Sequence, residues 1–102
     1  MLLVTSQIRK EYNDMIENRY RRSLIYRIRR VGNQKYLLGD SQCFELDDIT
    51  ELAWNMFNGR NTMKDILDAV LKEYNVSESE ATEDLLELVT SMELLGVINR
   101  IE

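Results

Sequence analysis

The chain has no histidine, no proline and a single cysteine among its 102 residues. Without histidine it lacks the commonest general base and the commonest nitrogen ligand for metals. One cysteine, Cys43, forms neither an internal disulfide nor a CxxC site, which agrees with a reducing compartment. The four glycines, Gly32, Gly39, Gly59 and Gly96, are scattered, so no phosphate-cradling loop exists. No apolar run approaches the roughly 20 residues of a membrane span. The opening "MLLVTSQIRKEYND" has too short an apolar stretch for a secretion signal. A cytoplasmic protein with no membrane partner is therefore expected. Repeats, low-complexity tracts and Gly or Pro linkers are missing as well. Asp47-Asp48 is a carboxylate pair, but adjacent acids before a helix serve as cap and dipole partners more often than as catalysts. Catalysis, a resident metal and a cofactor are not expected, and Cys43 reads as a small apolar strand residue.

What is present describes a small globular domain. Apolar residues make up 44% and charged residues 30% of the chain, enough for a modest single core. The net charge of -5 conceals an asymmetry. Residues 1–31 hold eight Lys or Arg against three Asp or Glu, whereas residues 32–102 hold five against fifteen. A basic first third on an acidic body implies solvated surface charge, an internal charge fit or an acidic partner.

The pattern along the chain sets the order of elements. Residues 5–20 look helical, with Ile8, Tyr12, Met15, Ile16 and Tyr20 recurring at three or four residue steps and Thr5 or Ser6 as the cap. Residues 24–31, "LIYRIRRV", alternate like a strand, with Leu24, Tyr26 and Ile28 on one face. Gly32-Asn33 offers a two-residue turn, residues 35–38 a second strand, Gly39-Asp40-Ser41 another turn, and residues 43–46 a third strand. Three helices follow. The first is capped by Asp48 with Glu51 at its third position and stops at Asn58-Gly59. The second has Thr62 and Asp65 as a capping pair and stops near Asn75. The third has Ser77 and Glu80 as its pair, runs to about Leu95 and stops at Gly96. Val97-Ile98 reads as a short extended tail. The expectation is an α+β fold of winged helix-turn-helix type: a three-stranded antiparallel sheet, a three-helix unit and an extra N-terminal helix. Residues 1–22 would be a helical extension and residues 23–102 the domain proper.

A winged helix suggests DNA, and the charges argue against it. The last helix of such a unit must meet phosphates with Lys and Arg. Residues 77–95 carry Glu78, Glu80, Glu83, Asp84, Glu87 and Glu93 and no basic residue. Arg27, Arg29 and Arg30 have no reading helix beside them, so a DNA-binding regulator stands only as an alternative, together with an adaptor for a folded protein.

That same helix carries much apolar surface. Ala81, Leu85, Leu88, Met92 and Leu95 fall within an arc of about 80° and read as a core stripe, with Val89 and Leu86 further round. Two readings are open. Leu86 and Val89 pack under the N-terminal helix or the sheet, or they form one wall of a groove whose other wall is a strand edge. An edge beside an apolar helix is the layout of peptide capture by strand addition, and the strand at 43–46, with Glu45 as its one charge, is the candidate edge.

Several segments together resemble the PqqD-like family of leader-peptide recognition domains. Leu46-Asp47 through Trp54 is similar to that family's Leu-Asn…(Ile/Leu)-Trp segment. Asn58-Gly59-Arg60-Asn61-Thr62 with Asp65-Ile66 resembles its Asp-Gly-x-x-Thr…Glu-Ile turn and helix, and Asp84-Leu85…Met92…Gly96-Val97-Ile98 its ending. "LIYRIRRVG" resembles its opening strand. The likeness covers about residues 24–98. Asp47 replaces the family's Asn, and Ile49-Thr50 its usual Thr-Ala. Residues 5–20 have no counterpart and would be a docking element, a lid on the groove or a dimer contact. The resemblance implies a non-catalytic peptide chaperone of ribosomal peptide pathways, such as lasso peptide or PQQ biosynthesis. Its partners would be a precursor's leader and a modifying enzyme or leader protease. Carried over by position, the peptide would meet Cys43, Phe44, Glu45 and Leu46 on the strand and Leu85, Leu86, Val89 and Glu93 on the helix. Charge adds Arg27 and Arg29 as contacts for leader carboxylates.

Overall fold

The strand residues between Arg27 and Leu46 alternate between two faces of a sheet, and this meander organises the first half of the fold. The computed structural model describes residues 10–101. Strand β2 (Arg27–Val31) pairs with β3 (Gln34–Gly39), and β3 pairs with β4 (Gln42–Leu46), all antiparallel. Two-residue turns at Gly32-Asn33 and Asp40-Ser41 join them. Ile28, Leu37 and Phe44 form one row across the inner face. Arg27, Leu38 and Cys43 form an outer row, as do Arg29, Tyr36 and Glu45. The strand expected from residue 24 begins three residues later. Leu24 is almost fully exposed in a turn, and Tyr26 is buried outside the ladder with its hydroxyl donating to the side-chain amide oxygen Oε1 of Gln42.

The N-terminal expectation needs correction. Residues 5–9 lie outside the described residues, and residues 10–15 are helical (α1). The chain then turns, with the Asn18 N–H donating to the Met15 carbonyl, and continues as strand β1 (Arg19–Arg22) rather than a further helical turn. Tyr20, expected on a helical stripe, is fully buried in that strand, its ring edge-on to Phe57 at 6.1 Å. Strand β1 is the middle of a second sheet that the sequence reading lacked. Its neighbours are β5 (Asn58–Thr62) and β6 (Ile98–Ile101), and both pairings are antiparallel. Asn58-Gly59 does stop the preceding helix, but the chain leaves it extended. The expected tail at Val97-Ile98 lengthens into β6 for the same reason: β1 offers both segments a partner. The fold is thus α+β, with two three-stranded antiparallel sheets and four helices among the described residues.

The helices start and stop where local chemistry directs. Helix α2 (Asp48–Met56) is capped by Asp47, whose Oδ1 accepts from the Thr50 N–H at 2.7 Å. The cap is one residue earlier than expected, which leaves Asp48 and Glu51 free for other partners. At the other end Arg22 supplies the positive charge that the last turn of α2 lacks. Its guanidinium lies 5.8 Å from the Trp54 ring centroid and donates to the carbonyls of Trp54 and Asn55. Helix α3 (Met63–Glu73) has the expected reciprocal box. Thr62 Oγ1 accepts from the Asp65 N–H at 3.2 Å, and Asp65 Oδ2 accepts from the Thr62 N–H at 2.9 Å. Helix α4 (Glu78–Leu94) starts on Ser77, whose hydroxyl accepts from the Glu80 N–H. It ends in a Schellman motif. Gly96 takes a φ of 76°, and the Gly96 and Val97 N–H groups donate back to Glu93 and Met92. The core gathers Leu37, Trp54, Phe57, Met63, Ile66 and Val89 between the sheets and the helices.

Gly39 is required by a close approach. A Cβ there would lie 2.5 Å from Cδ1 of Tyr26, closer than packed carbons tolerate. Gly39→Ala should therefore displace the Tyr26 ring and break its bond to Gln42, at a cost of about 1–3 kcal/mol. A denaturant melt reads this directly, and unchanged stability would show that the ring moves without penalty.

Candidate functional site

Strand β4 lies at the edge of its sheet, with β3 on one side only. The register fixes which of its backbone groups face outward. The turn at Asp40-Ser41 closes on Gly39 opposite Gln42, the pair that exchanges hydrogen bonds in a two-residue hairpin. Antiparallel pairs alternate, so Leu37 and Phe44 are the next bonded pair. Cys43 and Glu45, opposite Leu38 and Tyr36, fall between them and direct their N–H and C=O groups away from β3. Counting from the Gly32-Asn33 turn gives the same parity on β3. The open edge is thus the backbone of Cys43 and Glu45. Their side chains lie exposed on the outer face, and Phe44 and Leu46 turn inward.

At the end of β4 a cavity of about 430 Å³ opens between α2 and α4. Its wall begins at Asp47, the residue after Leu46, and continues through Ile49, Thr50 and Ala53. Val70 and Val76 close one end, and Ala81, Leu85 and Leu88 form the α4 side. The floor is apolar and the rim is acidic. Among the described residues Asp47, Asp84 and Glu87 are the charged groups of the wall, and no Lys or Arg belongs to it. Asp84 and Glu87 are exposed on the same side of α4, three residues apart.

Two basic groups of the β2–β4 sheet are engaged with the start of α2. Lys35 on β3 donates to Asp48 and, at 2.8 Å, to Glu51. Arg30 on β2 donates to Glu51 at 2.7 Å. Hydrogen bonding to the Lys35 ammonium holds both carboxyls below their ordinary values, with Arg30 adding to the effect on Glu51. The Lys35 ammonium is held above its own by the same two bonds. The Lys35 and Glu51 side chains are only 16% and 17% exposed, so water screens that pair less than a surface pair. This network ties the first turn of α2, and with it the cavity wall at Ile49 and Thr50, to the sheet.

The residues proposed from sequence separate into three groups. Cys43, Phe44, Glu45 and Leu46 share the edge strand, and Leu85 lines the cavity at its end. Leu86 and Val89 are buried in the core and present no surface to a groove. The α4 stripe therefore splits otherwise than expected: Ala81, Leu85 and Leu88 face the cavity, and Leu95, expected in the core, is 45% exposed. Glu93 is exposed beyond the cavity wall. Arg27 and Arg29 lie on β2, two strands from β4, about 10 Å across the sheet. The residues missed were Asp47, Thr50, Val76, Asp84, Glu87 and Leu88. Spacing could have found Asp84, one helical turn from both Ala81 and Leu88, and Glu87, one turn beyond Asp84. Val76 follows the end of α3 without a pattern of its own.

A second cavity, about 560 Å³, lies between α1 and helices α3 and α4, and the buried Tyr12 hydroxyl on its wall has no hydrogen-bond partner among the described residues. The described residues of α1 line this cavity and not the first, so among the described residues no part of α1 covers the edge-strand site. Among the described residues no three His, Cys, Asp or Glu side chains are grouped to hold a metal. No described helix is long and apolar enough to cross a membrane.

Residues 31–98, two thirds of the chain, match the sequence model of the family described as coenzyme PQQ synthesis protein D (PqqD). No curated protein and no solved structure matches the chain.

Acid should loosen the clamp on α2. Carboxyls held low contribute stability in full above their ordinary values, 3.8 for Asp48 and 4.5 for Glu51. That contribution is lost as pH falls through the lowered values. Denaturant melts from pH 6 downward should show stability falling below about pH 4.5, and Glu51→Gln should flatten part of that fall. Parallel curves for the two proteins would remove Glu51 from the linkage.

Proposed function

The chain belongs to the PqqD family, and from that premise we propose that it is a non-catalytic adaptor for a ribosomally made precursor peptide. The precursor's leader adds as a strand to β4, and the adaptor presents the remainder to a modifying enzyme or leader protease of the same pathway. The observation that carries this reading is the outward backbone of Cys43 and Glu45, which ends at the mouth of an apolar cavity. In this reading the fold works as a winged helix, with β2–β4 as the wing and α2–α4 as the helical unit.

The physical division of labour follows from strand geometry. Main-chain bonds to Cys43 and Glu45 give affinity with little sequence demand. Side chains of the added strand alternate, so those opposite Phe44 and Leu46 turn toward the helices. A strand continuing past Leu46 arrives at Asp47 and places one such side chain at the cavity, against Leu85 and Leu88. Selectivity comes from that pocket. Leu86, Val89, Glu93, Arg27 and Arg29 fall outside the contact proposed here.

Fluorescence anisotropy with labelled leader peptides from precursor genes adjacent to this one tests the proposal. Binding at about micromolar or tighter, about -8 kcal/mol, is expected. Glu45→Pro removes an outward N–H from the edge and should weaken binding about tenfold or more. Glu45→Ala keeps that N–H and should cost much less. Equal effects of the two substitutions, with both proteins folded by thermal melt, would refute strand addition.

A further inference from the structure

The charge around the cavity sets what kind of peptide it accepts. Resting on the adaptor reading above, we propose that the bound segment is basic: an apolar anchor residue with Lys or Arg beside it in the strand alternation. Three observations lead there. The cavity floor is apolar, built from Ala53, Val70, Val76, Ala81 and Leu85. Among the described residues each charged group on its wall is a carboxylate, and the Asp84 and Glu87 side chains have no hydrogen-bond or ion-pair partner there. The exposed charge on the open edge of β4 is a further carboxylate, Glu45.

Register turns these into a pattern. A residue of the added strand directly opposite Glu45 shares the outer face with it, where an opposite charge is favoured and a like charge is not. The neighbouring residues of the strand face inward, and one of them fills the cavity. The next inward position, two residues along, lies over the rim with Asp84 and Glu87. An acidic side chain at either basic position would meet carboxylates with no internal cation to neutralise it, since Lys35 and Arg30 are bonded to Asp48 and Glu51. The site thus rejects acidic segments as well as favouring basic ones, a use of repulsion for specificity.

The test is to pan a random peptide display library against the full chain and then titrate synthetic versions of an enriched sequence. The versions carry Lys, Gln or Glu at the next inward position, two residues from the apolar anchor. Enrichment of an apolar residue with Lys or Arg is expected, with Lys binding about threefold to tenfold tighter than Gln and Glu weaker still. The advantage of Lys should shrink as salt rises. Asp84→Lys with Glu87→Lys should reverse the order of the three versions. Asp84→Asn with Glu87→Gln should level it, and these exposed positions leave the core untouched. Apolar binders indifferent to charge, or an order unmoved by either double variant, would overturn the inference and leave the adaptor reading standing. A library that yields no binder to the folded protein would overturn the adaptor reading itself.

Discussion

The placement of helix α2 is the constraint on which the rest of the structure depends. It is held at both ends by charge from outside the helix. Lys35 and Arg30 reach its first turn from the sheet, and Arg22 reaches its last turn from β1. Each arrangement puts cations or anions where the helix dipole favours them: Asp48 and Glu51 at the start, the guanidinium at the end. Between these ends Ala53 and Trp54 are buried. Because the two sheets supply the two sets of cations, α2 is also what links them. The cavity lies between α2 and α4, with Ile49 and Ala53 on one wall and Leu85 and Leu88 on the other.

The open edge of β4 follows from the same element. The chain leaves β4 at Leu46, caps α2 with Asp47 and cannot return to pair on the free side. Strands β5 and β6, which come later, are drawn to β1 instead. An edge exposed in this way is ordinarily blunted by charge or proline. Here the strand has neither proline nor basic residue, and Glu45 is its one charge. The family to which the chain belongs, the outward parity of Cys43 and Glu45 and the cavity that begins one residue after the strand all bear on the same few residues.

Much of this was legible from the residues. The β2–β4 meander was set by period-two alternation and by turn residues at Gly32-Asn33 and Asp40-Ser41. The helices were set by caps at Thr62 and Ser77 and by Gly96. The N-terminal segment was not legible, because Tyr20 lies four residues after Ile16 and suits a helical stripe as well as a strand. The choice was made by tertiary pairing: β1 gains backbone partners on both sides, which no local propensity encodes. Strand β5 was hidden for a related reason, since Asn58-Gly59 carries a stop signal that does not say how the chain continues. At the site, the edge strand could be found by pattern. The division of α4 between core and cavity could not, because Leu85 and Leu86 are neighbours on one helix and only the positions of α2 and the second sheet decide which faces the gap.

The charge asymmetry of the sequence acquires a meaning from these contacts. The basic first third reads as surface, internal fit or partner, and a large part of it is internal fit. Arg19 donates to the Arg60 carbonyl, Arg22 to the end of α2, and Arg30 to Glu51. Lys35 adds the fourth internal contact. These cations are drawn to the side of the molecule where the sheets meet α2. Among the acids that remain without them are Asp47 on the cavity wall and Asp84 and Glu87 on α4. The cations that hold α2 are thus engaged within the scaffold, whereas the rim keeps its carboxylates. Under the proposed strand addition, the segment that enters the cavity meets that charge.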